Sequence, residues 1–178
     1  VCDDGNPVLC DTAQVIIDVT PVDDAPIAVD DNFNTQEDTP VSGNLLPNDS
    51  DPDGGVLTLS TTPVDEPNNG DIVLNPNGTF TYTPDPNFVG QDTFLYEVCD
   101  DGTPVLCDTA QVIITVIPVN DPPVADNDTT MTAEDTPVDI NALLDDSDPD
   151  GSLIGDSLTI LTPPTNGMAV DNQDSTVT

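Results

Sequence analysis

The chain has 178 residues, 35 of them Asp or Glu and none of them Lys, Arg or His, for a formal charge of -35. Without a cationic side chain it cannot neutralise nucleic-acid phosphates, build a Walker-type phosphate loop, dock on an anionic membrane surface, or assemble an imidazole-based triad or zinc site. No apolar run approaches the roughly 20 residues that span a bilayer, so neither nucleic acid nor membrane insertion is expected of this segment.

Near its start the chain reads Cys2-Asp3-Asp4-Gly5-Asn6-Pro7-Val8-Leu9-Cys10, followed by Asp11-Thr12-Ala13-Gln14-Val15-Ile16-Ile17 and, after Thr20, the linker Pro21-Val22-Asp23-Asp24-Ala25-Pro26. Beyond that linker, seven short apolar-alternating runs are separated by turn residues: Ile27 to Phe33, Val41 to Leu46, Val56 to Thr61, Asp71 to Leu74, Thr79 to Thr83, Asp92 to Cys99 and Asp108 to Ile117. Each is predicted to be a strand. The clearest is Thr79-Phe80-Thr81-Tyr82-Thr83, with aromatics on one face and threonines on the other, preceded by the turn signal Asn77-Gly78. Phe94 and Tyr96 repeat that alternation, and all four aromatics are expected in or beside the core. No segment keeps a 3.6-residue apolar period, and 19 prolines would interrupt helices. The expected class is all-β: tandem Greek-key β-sandwiches of immunoglobulin-like size, about seven strands per repeat.

The repeat itself is explicit. Residues 2–17 and 99–114 agree at fifteen of sixteen positions after a step of 97 residues. The same step carries Pro21–Pro26 onto Pro118–Pro123, Glu37-Asp38-Thr39-Pro40 onto Glu134-Asp135-Thr136-Pro137, and Asp49-Ser50-Asp51-Pro52-Asp53-Gly54 onto Asp146-Ser147-Asp148-Pro149-Asp150-Gly151. Between Gly151 and Asn166 an insertion and a deletion offset each other, as loops allow. The organisation follows: 1–24 is the C-terminal strands of one repeat, 25–121 a complete repeat, and 122–178 the N-terminal part of the next. The chain is accordingly expected to be a window on a longer array.

Four cysteines fall in two repeat-locked pairs, Cys2 with Cys10 and Cys99 with Cys107. If the flanking runs are hairpin arms, each pair closes a disulfide worth about 2 to 3 kcal/mol by the chain-entropy argument; the alternative is a pair of buried thiols. Their even count favours disulfides, and disulfides imply an extracellular setting. An acidic chain poor in aromatics is also a candidate for disorder, but alternating apolar runs have no purpose in a solvated coil.

With no basic partner the carboxylates repel one another unless ions offset them. Either solvated monovalent ions or bound divalent ones can do so. Asp49, Asp51 and Asp53 sit at alternate positions of a turn that Gly54 relieves, a pattern that suits Ca²⁺.

The run from Tyr96 through the cysteine hairpin to Val116, with Asn120-Asp121-Pro122-Pro123 after it, resembles the last two strands and linker of cadherin-like domains. The whole chain is similar to the bacterial cadherin-like and immunoglobulin-like tandem repeats of large surface adhesins. That resemblance implies Ca²⁺ between consecutive domains. By analogy, the first junction would use Asp23, Asp24, Asp49, Asp51 and Asp100, and the second Glu37, Asn120, Asp121, Asp146 and Asp148. The Asp-Arg-Glu motif of cadherins is absent, and Asp85 lies in the corresponding region without matching it.

The resemblance also implies a non-enzymatic role at the cell surface: a calcium-stabilised stalk or adhesin segment whose partners are neighbouring repeats. Alternatives are a filament subunit joined to other copies by strand complementation, and a carbohydrate- or partner-binding module. Glycoside hydrolysis, the one enzymatic chemistry that carboxylates alone support, is disfavoured because the same acidic motifs recur in each repeat. Asp11-Thr12-Ala13 and Asp108-Thr109-Ala110 resemble O-glycosylation sites of bacterial surface proteins, making Thr12 and Thr109 candidate acceptors. Asn48, Asn77 and Asn127 lie in Asn-x-Ser/Thr sequons.

Overall fold

The structure is a computed structural model describing residues 1–154 and 158–178. Seven strands form between the two Pro-rich linkers: β1 Asp31–Gln36, β2 Val41–Asn44, β3 Thr58–Leu59, β4 Gly70–Leu74, β5 Thr79–Pro84, β6 Gly90–Cys99 and β7 Cys107–Ile117. They make two sheets, β1-β7-β6-β3 and β2-β5-β4, antiparallel throughout except where β1 runs parallel to β7. This is the expected all-β sandwich.

Alternation explains why the sheets face each other. On β6, Asp92, Phe94, Tyr96 and Val98 point inward, and on β7 Ala110, Val112, Ile114 and Val116 do the same, while Phe80, Tyr82 and Leu74 face them from the other sheet. Burying a side chain of this kind contributes roughly 1.5 to 3 kcal/mol, and all four predicted aromatics are buried. Phe80 lies edge-on to Phe33 at 4.7 Å between centroids and tilted against Phe94 at 6.2 Å, so it joins the sheets. At Gly78, φ is +87°, and the Asn75–Gly78 turn closes the β4–β5 hairpin with Gly78 N–H donating to Asn75 O at 3.0 Å.

The first strand starts later than the sequence suggests. Ile27 makes a single bridge to Ser50, and continuous pairing begins only at Asp31, the first residue opposite β7 at Val112. Strand pairing needs a partner, and residues 28–30 have none in register.

Among the described residues, every fully buried apolar side chain lies between Leu45 and Val116. Val15, Ile17 and Val19 are 82%, 79% and 87% exposed, whereas their repeat counterparts Val112, Ile114 and Val116 are 0 to 2% exposed. In residues 122–178 a short pair, β8 Ile140–Asn141 with β9 Thr176–Val177, forms, and the Val124 to Ser147 bridge copies that of Ile27 to Ser50.

Candidate metal centre

Both cysteine pairs are disulfides, and each closes a turn around its acidic residues. In the seven-stranded sandwich Cys99 and Cys107 end the β6–β7 ladder, and Asp100 lies just beyond. Asp100 is 5% exposed; its Oδ1 accepts the N–H of Gly102 at 3.0 Å and of Leu106 at 2.9 Å. Asp101 Oδ1 accepts Val56 N–H at 2.8 Å, which ties the hairpin to the loop after Asp53.

The linker enters at this same end. Asp24 N–H donates to Asp53 Oδ2 at 2.7 Å, and Asp53 N–H donates to Asp51 Oδ1 at 2.7 Å. A Cβ on Gly102 would collide with the Asp23 carboxylate, and one on Gly55 would meet Asp51 Oδ2 at 2.5 Å and Asp101 Oδ1 at 2.7 Å. Three chain segments thus bring Asp23, Asp51, Asp53, Asp100 and Asp101 together. Burial, then the charges of Asp100, Asp53, Asp51 and Asp24, push the Asp23 carboxyl above its ordinary range.

The far end of the repeat has a second acidic group. Glu37, 4% exposed, accepts Val119 N–H on Oε1 at 2.5 Å while its own N–H donates to Ile117 O at 3.0 Å. Asp121 N–H donates to Asp150 Oδ2 at 2.9 Å, repeating the Asp24 to Asp53 contact one step of 97 along. Burial, then Asp150, Asp38, Glu37 and Asp148, raise the Asp121 carboxyl. Carboxylates from one repeat, its linker and the next therefore face one another.

Not every candidate ligand joins these groups. Asp49 Oδ1 accepts Val29 N–H at 2.8 Å and the Tyr96 hydroxyl at 3.0 Å, within the sandwich. Asp146 does the equivalent, accepting Asp126 N–H at 2.7 Å. Because Ser50 and Ser147 are held extended by their bridges, the acids on either side of them diverge: Asp51 and Asp148 face the linker, Asp49 and Asp146 their own strands. Asp24 is exposed, and the Asn120 amide donates to Asp121 O at 3.1 Å. Sequence reasoning did not single out Asp38, Asp101 or Asp150 as ligands; the 97-residue step from Asp53 was the available signal for Asp150. Thr12 and Thr109 are both exposed.

Among the described residues, the three metal-capable side chains whose ligand atoms come within 4.8 Å of one another are Glu97, Cys99 and Cys107, and the two sulfurs are spent in the disulfide. Among the described residues, no three junction carboxylates come that close. Yet Asp23 Oδ2, Asp100 Oδ2 and Asp121 Oδ2 are buried and accept no hydrogen bond. Such oxygens are costly in a chain with no cationic side chain, and hard divalent cations are the ligand they fit.

A third acidic group is internal. Burial, then Asp49, push the Asp31 carboxyl up to about 6, against hydrogen bonds from Tyr96 and Asn48 that lower it. Its folded value lies above the 3.8 of the free side chain, so the stability it contributes is fully present below about pH 4 and is lost as pH rises through about 6. Asp23, Asp49 and Asp121 are shifted the same way. In buffer free of divalent cations the protein is therefore expected to show a higher urea midpoint at about pH 5 than at about pH 7, the reverse of ordinary acid denaturation. A lower midpoint at the acid value would refute this assignment.

The sequence model of a family described as "Bacterial Ig domain" matches residues 23–115 and 120–178. No curated protein matches. Similar solved structures include the protocadherin gammaB7 EC3-6 cis-dimer, 17% identical with a TM-score of 0.49, covering 73% of this chain and 34% of that one. The protocadherin gammaB4 extracellular domain is 18% identical with a TM-score of 0.47, covering 73% and 23% respectively. A nucleoside hydrolase-related hypothetical protein from Saccharophagus degradans, associated with carbohydrate metabolism, is 22% identical with a TM-score of 0.42, covering 53% and 26%. This chain spans at most 34% of the length of these three.

Proposed function

The chain belongs to the bacterial Ig domain family, and on that footing we propose that it is a non-enzymatic structural segment of an extracellular tandem-repeat adhesin or stalk, stiffened by Ca²⁺ at its junctions. The observation that carries this reading is the set of buried, unpartnered oxygens on Asp23, Asp100 and Asp121, each in an acidic group at a linker. Asp23, Asp51, Asp53, Asp100 and Asp101 would hold one ion, and Glu37, Asp38, Asp121, Asp148 and Asp150 another. Ca²⁺ takes six to eight oxygens, so carbonyls and water would complete each set. The ion supplies the positive charge that the sequence lacks. Its binding would join the linker to the strand ends on either side, turning a flexible connection into a fixed one. The disulfides fit an oxidising, extracellular compartment.

Small-angle scattering and thermal melting, each with Ca²⁺ and with a chelator, test the proposal. A Ca²⁺ concentration about a hundredfold above Kd is expected to stabilise by about 2.7 kcal/mol per site, raising Tm by roughly 10 to 20 °C, and to lengthen the maximum dimension. Identical scattering and melting curves in the two buffers would defeat it.

A further inference from the structure

At the entry end of the complete repeat, one ligand-bearing loop is covalently stapled. We infer that the Cys99–Cys107 hairpin is a positioning element for a divalent cation, holding Asp100 opposite Asp23 across the space beside Gly102. The inference rests on the calcium reading above and adds which feature of the chain sets the affinity of that site.

Four observations converge on it. Asp100 is nine-tenths buried with Oδ2 unpartnered, although Oδ1 already accepts two hairpin N–H groups. The turn closes on itself through Asp100 N–H donating to Leu106 O at 3.0 Å, immediately inside the disulfide. Asp23 Oδ2, also unpartnered, lies where a Gly102 Cβ would stand, so a side chain at position 102 would displace that carboxylate. Asp101 of the same turn anchors the loop carrying Asp51 and Asp53 through Val56 N–H. A carboxylate held buried among other carboxylates must be kept there against repulsion, and the staple with its internal hydrogen bonds does so before any ion arrives. Preorganisation of this sort raises affinity by removing the ordering cost from the binding step.

The Cys2–Cys10 hairpin provides an internal control. Its Asp3 Oδ1 accepts Gly5 N–H at 3.2 Å and Leu9 N–H at 2.9 Å, the same turn, but Asp3 is exposed.

The test is a Ca²⁺ titration of the full chain followed by the ¹⁵N–¹H signals of Gly102 and Asp24. Cys99→Ala with Cys107→Ala, which leaves the β6–β7 ladder from Gly90 to Val98 intact, is expected to weaken binding at these signals by about 10- to 100-fold. Gly102→Ala, which keeps the disulfide, is expected to weaken it comparably. Cys2→Ala with Cys10→Ala is expected to leave it unchanged. A folded Cys99/Cys107 variant that binds like the parent overturns the inference while sparing the calcium reading. Should that variant fail to fold, Cys99→Ser with Cys107→Ser, which removes the staple but keeps a small polar side chain at both positions, decides: parental affinity overturns the inference and weakened binding supports it. If the parent's Gly102 and Asp24 signals ignore Ca²⁺ up to about 10⁻³ M, the range of weak extracellular modules, the calcium reading itself falls and takes this inference with it.

Discussion

Phe80→Ala is expected to destabilise the seven-stranded sandwich by about 4 kcal/mol, read as a shift in urea midpoint at constant slope. A unit of this size has only about 5 to 14 kcal/mol in all. Phe80 is 1% exposed and stands on β5 facing the other sheet, against Phe33 on β1 and Phe94 on β6. Truncation removes the ring common to both aromatic contacts and leaves a cavity that neither sheet can collapse into without breaking its ladder. Gly43 bounds the same space: an added Cβ there would meet the Phe33 and Phe80 rings at 2.7 and 2.8 Å. Phe80→Leu, which keeps most of the volume, should cost about 1.5 kcal/mol or less. Equal losses for the two variants would show that the site is not packed as described.

Asp92→Ala is expected to cost about 3 kcal/mol even though it deletes a negative charge from a chain with 35 acidic residues. Asp92 is the inward-facing carboxylate at the start of β6, 3% exposed. It accepts Asn68 N–H at 3.0 Å, Asn69 N–H at 2.8 Å, Thr93 N–H at 3.0 Å and the Tyr82 hydroxyl at 2.9 Å. Burial alone would raise its pKa, but these four donors outweigh it and hold the carboxyl below its ordinary range. The stability it contributes is therefore present above about pH 4 and lost as pH falls through its lowered folded value. The variant should lose that acid limb of the stability profile as well as the 3 kcal/mol. An alanine variant within about 0.5 kcal/mol of the parent, with the acid limb intact, would contradict the assignment.

Much of the sandwich was legible because its signal is local. Alternation in Thr79 to Thr83 and Asp92 to Cys99 marks inward faces without knowledge of the partners, and the 97-residue step confirms which motifs share a frame. What stayed hidden depends on pairing between distant segments. The run Asp49-Ser50-Asp51-Pro52-Asp53 reads as one carboxylate cluster, but the Ile27 to Ser50 bridge splits it, sending Asp49 to Tyr96 and leaving Asp51 and Asp53 with the linker. The start of β1 moved for the same reason. Asp92 reads as one more surface acid until the loop before β4 folds over it and its N–H groups claim the carboxylate.

The parallel pairing of β1 with β7 determines how the molecule meets tension. The chain enters beside the stapled hairpin at the start of β7 and leaves at Ile117, roughly 33 Å away at about 3.3 Å per residue. A pull applied through the two linkers thus runs along these strands rather than across them. The six register pairs from Asp31–Val112 to Gln36–Ile117 are then loaded together and must slide as a set, whereas a hairpin pulled from its open end parts one pair at a time. The same parallel pairing places the β1–β7 main-chain ladder in shear.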